Sequence, residues 1–496
     1  MRRYPRAEVW ALLAGWALIG ASTWAFAAAH PGHLSPDGVS YLYLARLIGL
    51  GQFHEAVNAI WPPVYPLVSA LVQALGVPAT VSLTVAQGLG AGVVYSQLLF
   101  ANRGVGAGQR LALALMGGGL ALLYGLLYTT PDVWGLVAVL GLVQGGLVVA
   151  LGTPTRGTYV RLGGWVLLGF FCRHYLVVWG LAWLVWVGVY RWARTRVLPK
   201  GLAISALVVA LGCGAWVGAT YTKYGVPYLT GQGAYGAYLR SDARGYPVDV
   251  HDWAGPLPLP TPLATSADDD RFRPGVLAGV PPQTDRRFGR VGRWQSIALN
   301  TQLFKGFLVF WGPWLLAVVL AAWAYPARWV LAVGLGGYVL GFGLTHIEDR
   351  FLLPLLVVPL LASAATLAAY ARRWQRGLVA ALLVATVYGG WRTYRDARHH
   401  LVHVPASPHL HGGRWVSDGR WPETAVLAYR AGAHYLGRLQ ESTPSGIAGA
   451  ARTTGATHVL LWQTPPDSVQ RYLPDAQTLD IPDGYPAVLV VPTAGR

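Results

Sequence analysis

The chain has 496 residues, of which 54% are hydrophobic and only 12% are charged. Soluble globular domains carry about 25% charged residues, so this composition excludes an ordinary soluble enzyme. The two cysteines, Cys172 and Cys213, both lie in apolar stretches and are too few for a disulfide framework or a cysteine zinc site. The net charge of +17 would suggest a nucleic-acid partner in a soluble protein, so the placement of the charges has to be examined.

Long apolar runs predict a polytopic membrane protein. A bilayer core of about 30 Å requires roughly 20 apolar residues per helix. In chain order the runs are 9–29, 79–100, 110–129, 132–151, 201–221, 306–325, 328–345, 351–371 and 377–391. Residues 163–190 are too few for two full spans and fit two short helices that meet near Arg173 and His174. The prediction is 11 membrane crossings.

Basic residues orient these helices. Arg2, Arg3 and Arg6 precede the first helix, so the positive-inside rule places the N-terminus in the cytoplasm. Because the predicted number of crossings is odd, the C-terminus is expected outside. The first apolar run is long for a signal peptide, and we expect it to remain as a helix. Under this topology the cytoplasmic segments hold 15 basic residues and one acid, Glu8. The positive charge is therefore mainly a topology feature, and we expect no nucleic-acid partner.

The predicted organisation is a transmembrane module at 1–391 and an extracytoplasmic α/β domain at 392–496. The module has external loops at 30–78 and 222–305, and residues 61–76 predict an interfacial helix in the first of them. The Pro/Gly/Asp-rich segment 255–284 predicts a flexible part of the second. In the C-terminal domain, residues 426–429, 458–462 and 487–491 predict strands, and 446–453 predict a helix. We expect an integral protein of a prokaryotic plasma (inner) membrane.

Two acidic residues at predicted external helix ends are candidates for chemistry, because acids are expensive near a bilayer. Asp37 lies in SPDGVSYLYLAR, where Tyr41 follows at helical spacing, and Asp132 lies in TTPDVWG. Each also fits a helix cap or a first-turn charge that the helix dipole favours, and the sequence leaves both readings open.

Four motifs in order resemble those of the polyprenyl-phosphate-sugar-dependent GT-C glycosyltransferases, such as protein O-mannosyltransferases and aminoarabinose lipid A transferases. An aspartate follows the first membrane helix, and a tyrosine-bearing helix, the segment Pro-Pro-x-Tyr-Pro at 62–66 and a second external acid come next. The segments FCRHYLVV and EDRFLLPLLVVPL extend the resemblance over the whole chain. Two departures are Asp37-Gly38 in place of the family's frequent Asp-Glu pair, and Arg173-His174 in place of its Arg-Pro turn.

The resemblance implies a GT-C-like fold and sugar transfer from a polyprenyl-phosphate donor to an acceptor on the extracytoplasmic side, with inversion at the anomeric carbon. The acceptor is a glycan, a lipid or a protein, and membrane lipids surround the enzyme. Asp37 is the expected base. Asp132 is expected to orient the acceptor or, with Asp37, to hold a divalent cation, Mg²⁺ or Mn²⁺. The need for a metal stays open, because two carboxylates do not identify such a site.

The donor phosphate is expected to contact cations at the outer membrane interface, namely Arg350, Arg173, His174 and Lys305. Interfacial anchoring, snorkelling, or an ion pair of Arg350 with Glu348 or Asp349 are the structural alternatives. The remaining substrate contacts are expected from Tyr41, Trp61, Tyr65, His346 and Glu348. Aromatic residues also gather at membrane interfaces as anchors, so that alternative applies to Trp61 and Tyr65.

Two other functions compete with a transferase. A transporter or flippase tends to carry ionisable residues at mid-membrane on broken helices, whereas the acids of this chain collect at external ends. A non-catalytic relative that binds a lipid-linked sugar would have the same sequence features, and the sequence leaves this alternative open.

Overall fold

The computed structural model describes residues 6–30, 33–101, 106–225, 227–230, 290–322, 325, 328–343, 349–367, 372–397, 410–438, 443–479 and 486–491. The chain packs as two compact units that alternate along the sequence. The helical unit comprises Met1–Pro31, Pro62–Gly218 and Arg287–His400, and the mixed unit comprises Gly32–Trp61, Ala219–Arg286 and Leu401–Arg496. The predicted division at residue 391 stays a prediction, and the segment 255–284 lies outside the described residues.

Helices make up most of the described chain. Up to residue 230 they are α1 (Arg6–Ala29), α2 (Pro36–Gly49), α3 (Phe53–Ala56), α4 (Val64–Ala74), α5 (Ala79–Ala101), α6 (Ala107–Tyr128), α7 (Asp132–Leu151), α8 (Arg156–Cys172), α9 (Leu176–Thr195) and α10 (Leu202–Tyr224). After residue 289 come α11 (Arg290–Ala322), α12 (Arg328–Gly343), a 3-10 turn (Asp349–Leu352), α13 (Leu353–Val357), α14 (Pro359–Leu367) and α15 (Arg372–Ala397).

Seven of the described helices are long and apolar enough to cross a membrane, namely α1, α5, α6, α7, α9, α10 and the Asn300–Leu320 part of α11. The protein is therefore a polytopic integral membrane protein. The predicted break near Arg173 is confirmed, because α8 ends at Cys172 and α9 begins at Leu176. The prediction that both helices are short is wrong for α9, because it has 20 residues and is long enough to span a membrane. The predicted interfacial segment 61–76 corresponds to α4, which is too short to span a bilayer. The total of 11 crossings stays a prediction.

Glycines that face tryptophans allow close helix packing in the helical unit. An added Cβ at Gly92 of α5 would overlap the ring of Trp16 of α1. Trp183 of α9 contacts two such positions, because a Cβ at Gly146 of α7 or at Gly334 of α12 would overlap its indole ring. Small residues let helix backbones approach closely inside a membrane. These glycines therefore fix the spacing of the helices that support the site described below.

The C-terminal part of the mixed unit contains a five-stranded sheet with the order β2-β1-β3-β5-β4. The strands are β1 (Arg414–Ser417), β2 (His434–Arg438), β3 (His458–Leu461), β4 (Gln477–Leu479) and β5 (Ala487–Val490). β1 pairs in parallel with both β2 and β3, whereas β5 pairs antiparallel with β3 and β4. The predicted strands at 458–462 and 487–491 are confirmed as β3 and β5.

Three helices cover the two faces of this sheet. They are α16 (Trp421–Arg430), α17 (Pro444–Thr454) and α18 (Pro466–Gln470). Leu427 and Ala428 of α16 pack on one face with Trp415 and Leu460. Residues of α17 and α18 pack on the other face in a second apolar cluster. Side chains of a strand alternate between faces, so the two clusters share the strands. The predicted helix at 446–453 corresponds to α17.

The predicted strand at 426–429 is wrong, because these residues lie inside α16. The helix begins at Trp421 with Pro422 in its first turn and Glu423 beside it, which are favourable residues at a helix N-terminus. Its sheet-facing residues recur with the helical period rather than in alternation. A short apolar run does not by itself distinguish a buried strand from a buried helix, and packing on the sheet selects the helix.

Candidate functional site

Three of the predicted site residues, Asp132, Arg173 and Arg350, come together in the helical unit, and we call them the arginine cluster. Nε of Arg173 donates to Oδ1 of Asp132 at 3.0 Å, and Nη2 donates to Oδ2 at 2.9 Å. Nε of Arg350 lies 3.8 Å from Oδ2 of the same carboxylate. The three side chains are 9–13% exposed. The buried carboxylate therefore orients the guanidinium group of Arg173 through two hydrogen bonds and lies at ion-pair distance from that of Arg350, and the cluster carries one net positive charge.

Helix ends position each member of the arginine cluster. Asp132 is the first residue of α7, where the helix dipole favours a negative charge. Arg173 lies in the break after α8, and its backbone N–H donates to the carbonyl of Gly169. Arg350 lies in the 3-10 turn Asp349–Leu352. The sequence-based alternative of an ion pair between Arg350 and Glu348 lies outside the described residues, and Asp132 is the carboxylate that the structure places beside Arg350.

A hydrogen-bonded chain connects the arginine cluster to the predicted substrate residue Tyr65. The hydroxyl of Thr130 donates to Oδ2 of Asp132 at 2.5 Å. Nε2 of Gln87, in α5, donates to the carbonyl of Thr130 at 2.5 Å and to the hydroxyl of Tyr65 at 2.8 Å. Tyr65, Gln87 and Thr130 are all buried. Helix α4 is thus tied to the loop that presents Asp132.

Aromatic rings form a further part of the cluster's surroundings. The guanidinium carbon of Arg173 lies 5.1 Å from the ring centre of Phe351, and that of Arg350 lies 5.4 Å from the same ring and 5.9 Å from the ring of Tyr128. Cations are attracted to aromatic faces, and partial desolvation strengthens the effect. The sequence alone did not indicate a role for Phe351, Tyr128, Gln87 or Thr130. Two of them lie close in sequence to predicted site residues, since Phe351 follows Arg350 and Thr130 lies two residues before Asp132.

His174 points to a different environment from its neighbour Arg173. Its ring centre lies 4.9 Å from that of Phe170 and 5.7 Å from that of Trp216. Among the described residues neither ring nitrogen of His174 has a hydrogen-bond partner. In this turn between α8 and α9, burial and the neighbouring Arg173 lower the pKa of His174 to about 3. The imidazole is therefore neutral, and its predicted contact with the donor phosphate stays a prediction.

The remaining predicted residues are distributed elsewhere. Asp37, Tyr41 and Trp61 belong to the mixed unit, where Asp37 lies in the first turn of α2 and the rings of Tyr41 and Trp61 meet edge to face at 5.1 Å. Ser35 caps α2, since its hydroxyl accepts from the backbone N–H of Gly38 at 3.0 Å. Lys305 is exposed on α11. His346 and Glu348 lie outside the described residues.

Lys223 is a structural lysine that the sequence analysis did not identify. Its ammonium donates to the carbonyl of Glu55 at 2.6 Å and to that of Val57 at 2.7 Å. The hydroxyl of Tyr224 donates to the same Val57 carbonyl at 3.0 Å. A cation beside the last carbonyls of a helix stabilises that helix end. The end of α10 therefore fixes the segment between α3 and Trp61.

Comparison with solved structures identifies the architecture. ArnT from Cupriavidus metallidurans, bound to undecaprenyl phosphate, matches with a TM-score of 0.55 and 13% identity, over 97% of this chain and 99% of that chain. This chain therefore shares the fold of that ArnT structure. The GT-C resemblance stated from the sequence motifs is thereby confirmed at the level of fold. No protein-family model and no curated protein sequence matches this chain.

Two further structures match over most of this chain. Arabinofuranosyltransferase AftD from Mycobacteria is 14% identical with a TM-score of 0.48, over 96% of this chain and 40% of that chain. The oligosaccharyltransferase AglB from Archaeoglobus fulgidus, in complex with an inhibitory peptide and a dolichol-phosphate, is 11% identical with a TM-score of 0.49. The AglB match covers 91% of this chain and 69% of that chain.

Proposed function

We propose that this protein moves a sugar from a polyprenyl-phosphate-linked donor to an acceptor hydroxyl. The observation that carries the proposal is the arginine cluster, in which Asp132 holds Arg173 and Arg350 with one net positive charge. Two guanidinium groups beside one carboxylate suit the oxygens of a phosphate ester. The solved ArnT structure with the same fold is bound to undecaprenyl phosphate, which supports a lipid phosphate as the ligand.

The reaction requires few groups from the protein. The acceptor oxygen attacks the anomeric carbon, the bond from that carbon to the phosphate oxygen breaks, and the electron pair leaves with the polyprenyl phosphate. Arg173 and Arg350 stabilise the charge on the leaving phosphate. Asp37 takes the proton of the acceptor hydroxyl as general base, and the anomeric configuration inverts. The acceptor, whether glycan, lipid or protein, reacts on the extracytoplasmic face.

Asp132 acts in this proposal by orienting the arginines. Both of its oxygens accept hydrogen bonds from Arg173, so a divalent cation there would compete with two guanidinium groups. Among the described residues no group of three His, Cys, Asp or Glu side chains is placed to hold a metal ion. Guanidinium groups therefore surround the Asp132 carboxylate, and the metal role of Asp37 and Asp132 stays a prediction that no step of this mechanism uses.

The orientation follows from the charges. We propose that the N-terminus is cytoplasmic in a prokaryotic plasma membrane and that the arginine cluster and the C-terminal domain are extracytoplasmic. The donor lipid then enters from the outer leaflet. A lipid-linked donor makes a nucleotide-sugar site unnecessary.

Binding and transfer are tested separately on the full chain in nanodiscs. Undecaprenyl phosphate is titrated against the wild type, Arg173→Gln and Arg350→Gln, with the exposed Arg194→Gln as the matched control. A hydrogen bond to a charged group contributes roughly 1.5–3 kcal/mol, so each cluster variant should bind about ten to a hundred times more weakly. Equal affinity of the wild type and Arg173→Gln would overturn the phosphate site.

Transfer is measured with radiolabelled polyprenyl-phosphate sugars and membrane acceptor extracts. Asp37→Asn should bind undecaprenyl phosphate normally and lose about a hundredfold or more in transfer rate, because the base is removed. Undiminished transfer by Asp37→Asn would contradict the assignment of the base. Binding without transfer of any donor sugar would instead favour a non-catalytic protein that binds a lipid-linked sugar.

A further inference from the structure

The helix that carries Asp37 has almost no exposed side. In α2, Val39, Ser40, Tyr41, Leu42, Leu44 and Ala45 are each at most 1% exposed. A helix of 14 residues is marginal on its own in water, and its stability comes from packing. Burial over most of its surface, with Arg46 and Gly49 exposed, means that more than one neighbouring element contacts α2. The position of Asp37 therefore depends on what packs around this helix.

One of these neighbours is α16 of the C-terminal domain, which has two buried faces. Thr424, Leu427 and Ala428 face the sheet, where Leu427 and Ala428 join its apolar cluster and Thr424 accepts from the indole of Trp462 at 2.8 Å. With about 3.6 residues per turn, Val426 lies on the opposite side of the helix. Val426 is fully buried, yet among the described residues it belongs to neither cluster of the sheet.

The face of α16 that bears Val426 and Tyr429 is the face left for α2. The two helices pack directly against each other within the mixed unit. Burial raises the pKa of Tyr429, and the guanidinium of Arg46, near the end of α2, lowers it by a smaller amount. Arg46 of α2 therefore lies near the Tyr429 phenol of α16. The contact between the helices thus combines an apolar side chain with a phenol beside a cation.

We propose that the C-terminal domain holds α2 in place through α16, and that Val426 and Tyr429 are positioning residues for Asp37. The catalytic meaning of this contact rests on the proposed transferase function. The mechanical part of the proposal, that α16 keeps α2 in its packed position, does not rest on that function. Loss of the domain's contact then loosens the helix that presents the base.

Hydrogen–deuterium exchange of the full chain in nanodiscs tests the mechanical part. Val426→Ala removes two methyl groups from the α2 side of α16, and the backbone amides of residues 37–49 should exchange about tenfold faster, because local opening becomes more frequent. The matched control is Val459→Ala, an equally buried valine of β3 in the opposite cluster of the sheet. This control should speed exchange in the sheet and leave α2 unchanged.

The outcomes of the exchange experiment test the positioning role of α16 independently of the transferase function. Unchanged α2 exchange in Val426→Ala, or equal acceleration of α2 in both variants, would overturn the positioning role. Faster α2 exchange in Val426→Ala alone supports it, whatever the protein catalyses. Tyr429→Phe, which keeps the ring, should leave α2 protected, whereas Tyr429→Ala should not. The exposed Tyr472→Ala serves as its control.

A kinetic readout tests the catalytic part. If transfer is established, Val426→Ala should lower kcat about five- to tenfold and leave the KM for the lipid-linked donor and the affinity for undecaprenyl phosphate unchanged. The reason is that the arginine cluster lies on other elements than α2. A rise of KM by the same factor, with kcat unchanged, would overturn the proposed link from α16 to Asp37. Absence of transfer in the wild type would instead contradict the transferase function and leave the exchange result intact.

Discussion

Asp132 and Arg173 form a two-point ion pair across 41 residues of sequence, with N···O distances of 3.0 and 2.9 Å. Both side chains are 9% exposed, so the pair is largely withdrawn from water. Two parallel hydrogen bonds fix the plane of the guanidinium group as well as its position. Because Arg350 lies beside the same carboxylate, a change at Asp132 acts on both arginines at once.

Removal of the carboxylate should therefore destabilise the protein. Breaking a buried pair on one side costs about 3–5 kcal/mol, because the remaining charge is left without compensation. We expect Asp132→Ala to lower the free energy of unfolding by that amount in detergent. Asp132→Ala/Arg173→Ala should lose less than the sum of the single variants, as contacting residues are not additive. Strict additivity of the unfolding free energies would contradict the ion pair.

The hydrogen bonds from Gln87 to Tyr65 and Thr130 predict that two substitutions destabilise the protein to different extents. Gln87→Leu removes both hydrogen bonds of the amide, whereas Tyr65→Phe removes the phenol and leaves the bond from Gln87 to Thr130. A buried polar group without its partner costs about 1–3 kcal/mol. Thermal unfolding should rank Gln87→Leu as more destabilising than Tyr65→Phe. The reverse order would mean that Thr130 does not depend on Gln87.

Two glycines with opposite surroundings test the close helix contacts. At Gly334 an added Cβ overlaps the ring of Trp183, whereas at Gly214 of α10 nothing lies within 4 Å. Overpacking costs about 1–3 kcal/mol, while alanine is intrinsically better in a helix than glycine by up to about 1 kcal/mol. Gly334→Ala should lower the melting temperature, and Gly214→Ala should leave it unchanged or raise it. A fall of equal size in both variants would contradict the packing.

The C-terminal domain should lose stability in mild acid because of His458. Burial lowers the pKa of His458 in the folded domain, where Nδ1 shares a hydrogen bond of 2.8 Å with the hydroxyl of Thr457. The unfolded chain has the ordinary value of about 6.5 and takes up the proton first as the pH falls. The contribution of His458 to the free energy of unfolding is therefore fully present above that value, and it declines as the pH drops toward the lowered pKa.

Exchange protection of β3 amides between pH 7.5 and 5.5, corrected for the intrinsic rate, measures this effect. His458→Gln cannot titrate and should flatten the part of the pH dependence that His458 causes. An identical pH dependence in the wild type and His458→Gln would assign the loss to other groups.

The sequence by itself located the seven described helices that are long and apolar enough to cross a membrane, because the thickness of a bilayer sets a length that apolar runs must meet. The run 132–151 corresponds to α7, and the break at Arg173 was predicted from the number of residues between basic loops. The prediction of a strand at 426–429 was wrong, since a short apolar run fits a strand or a helix until its packing is known. β3 and β5 were correct because their apolar runs are bounded by turn residues.

For the site, the sequence identified Asp132, Arg173 and Arg350 one at a time, because charged residues at helix ends in a membrane require a reason. It did not pair them: Arg350 had Glu348 and Asp349 as nearer partners along the chain. Only the tertiary structure decided that Asp132 holds both arginines, and that Gln87 and Thr130 support it. Hydrogen bonds act over about 3 Å in space, and residues that distant in sequence meet only when the helices that carry them have packed.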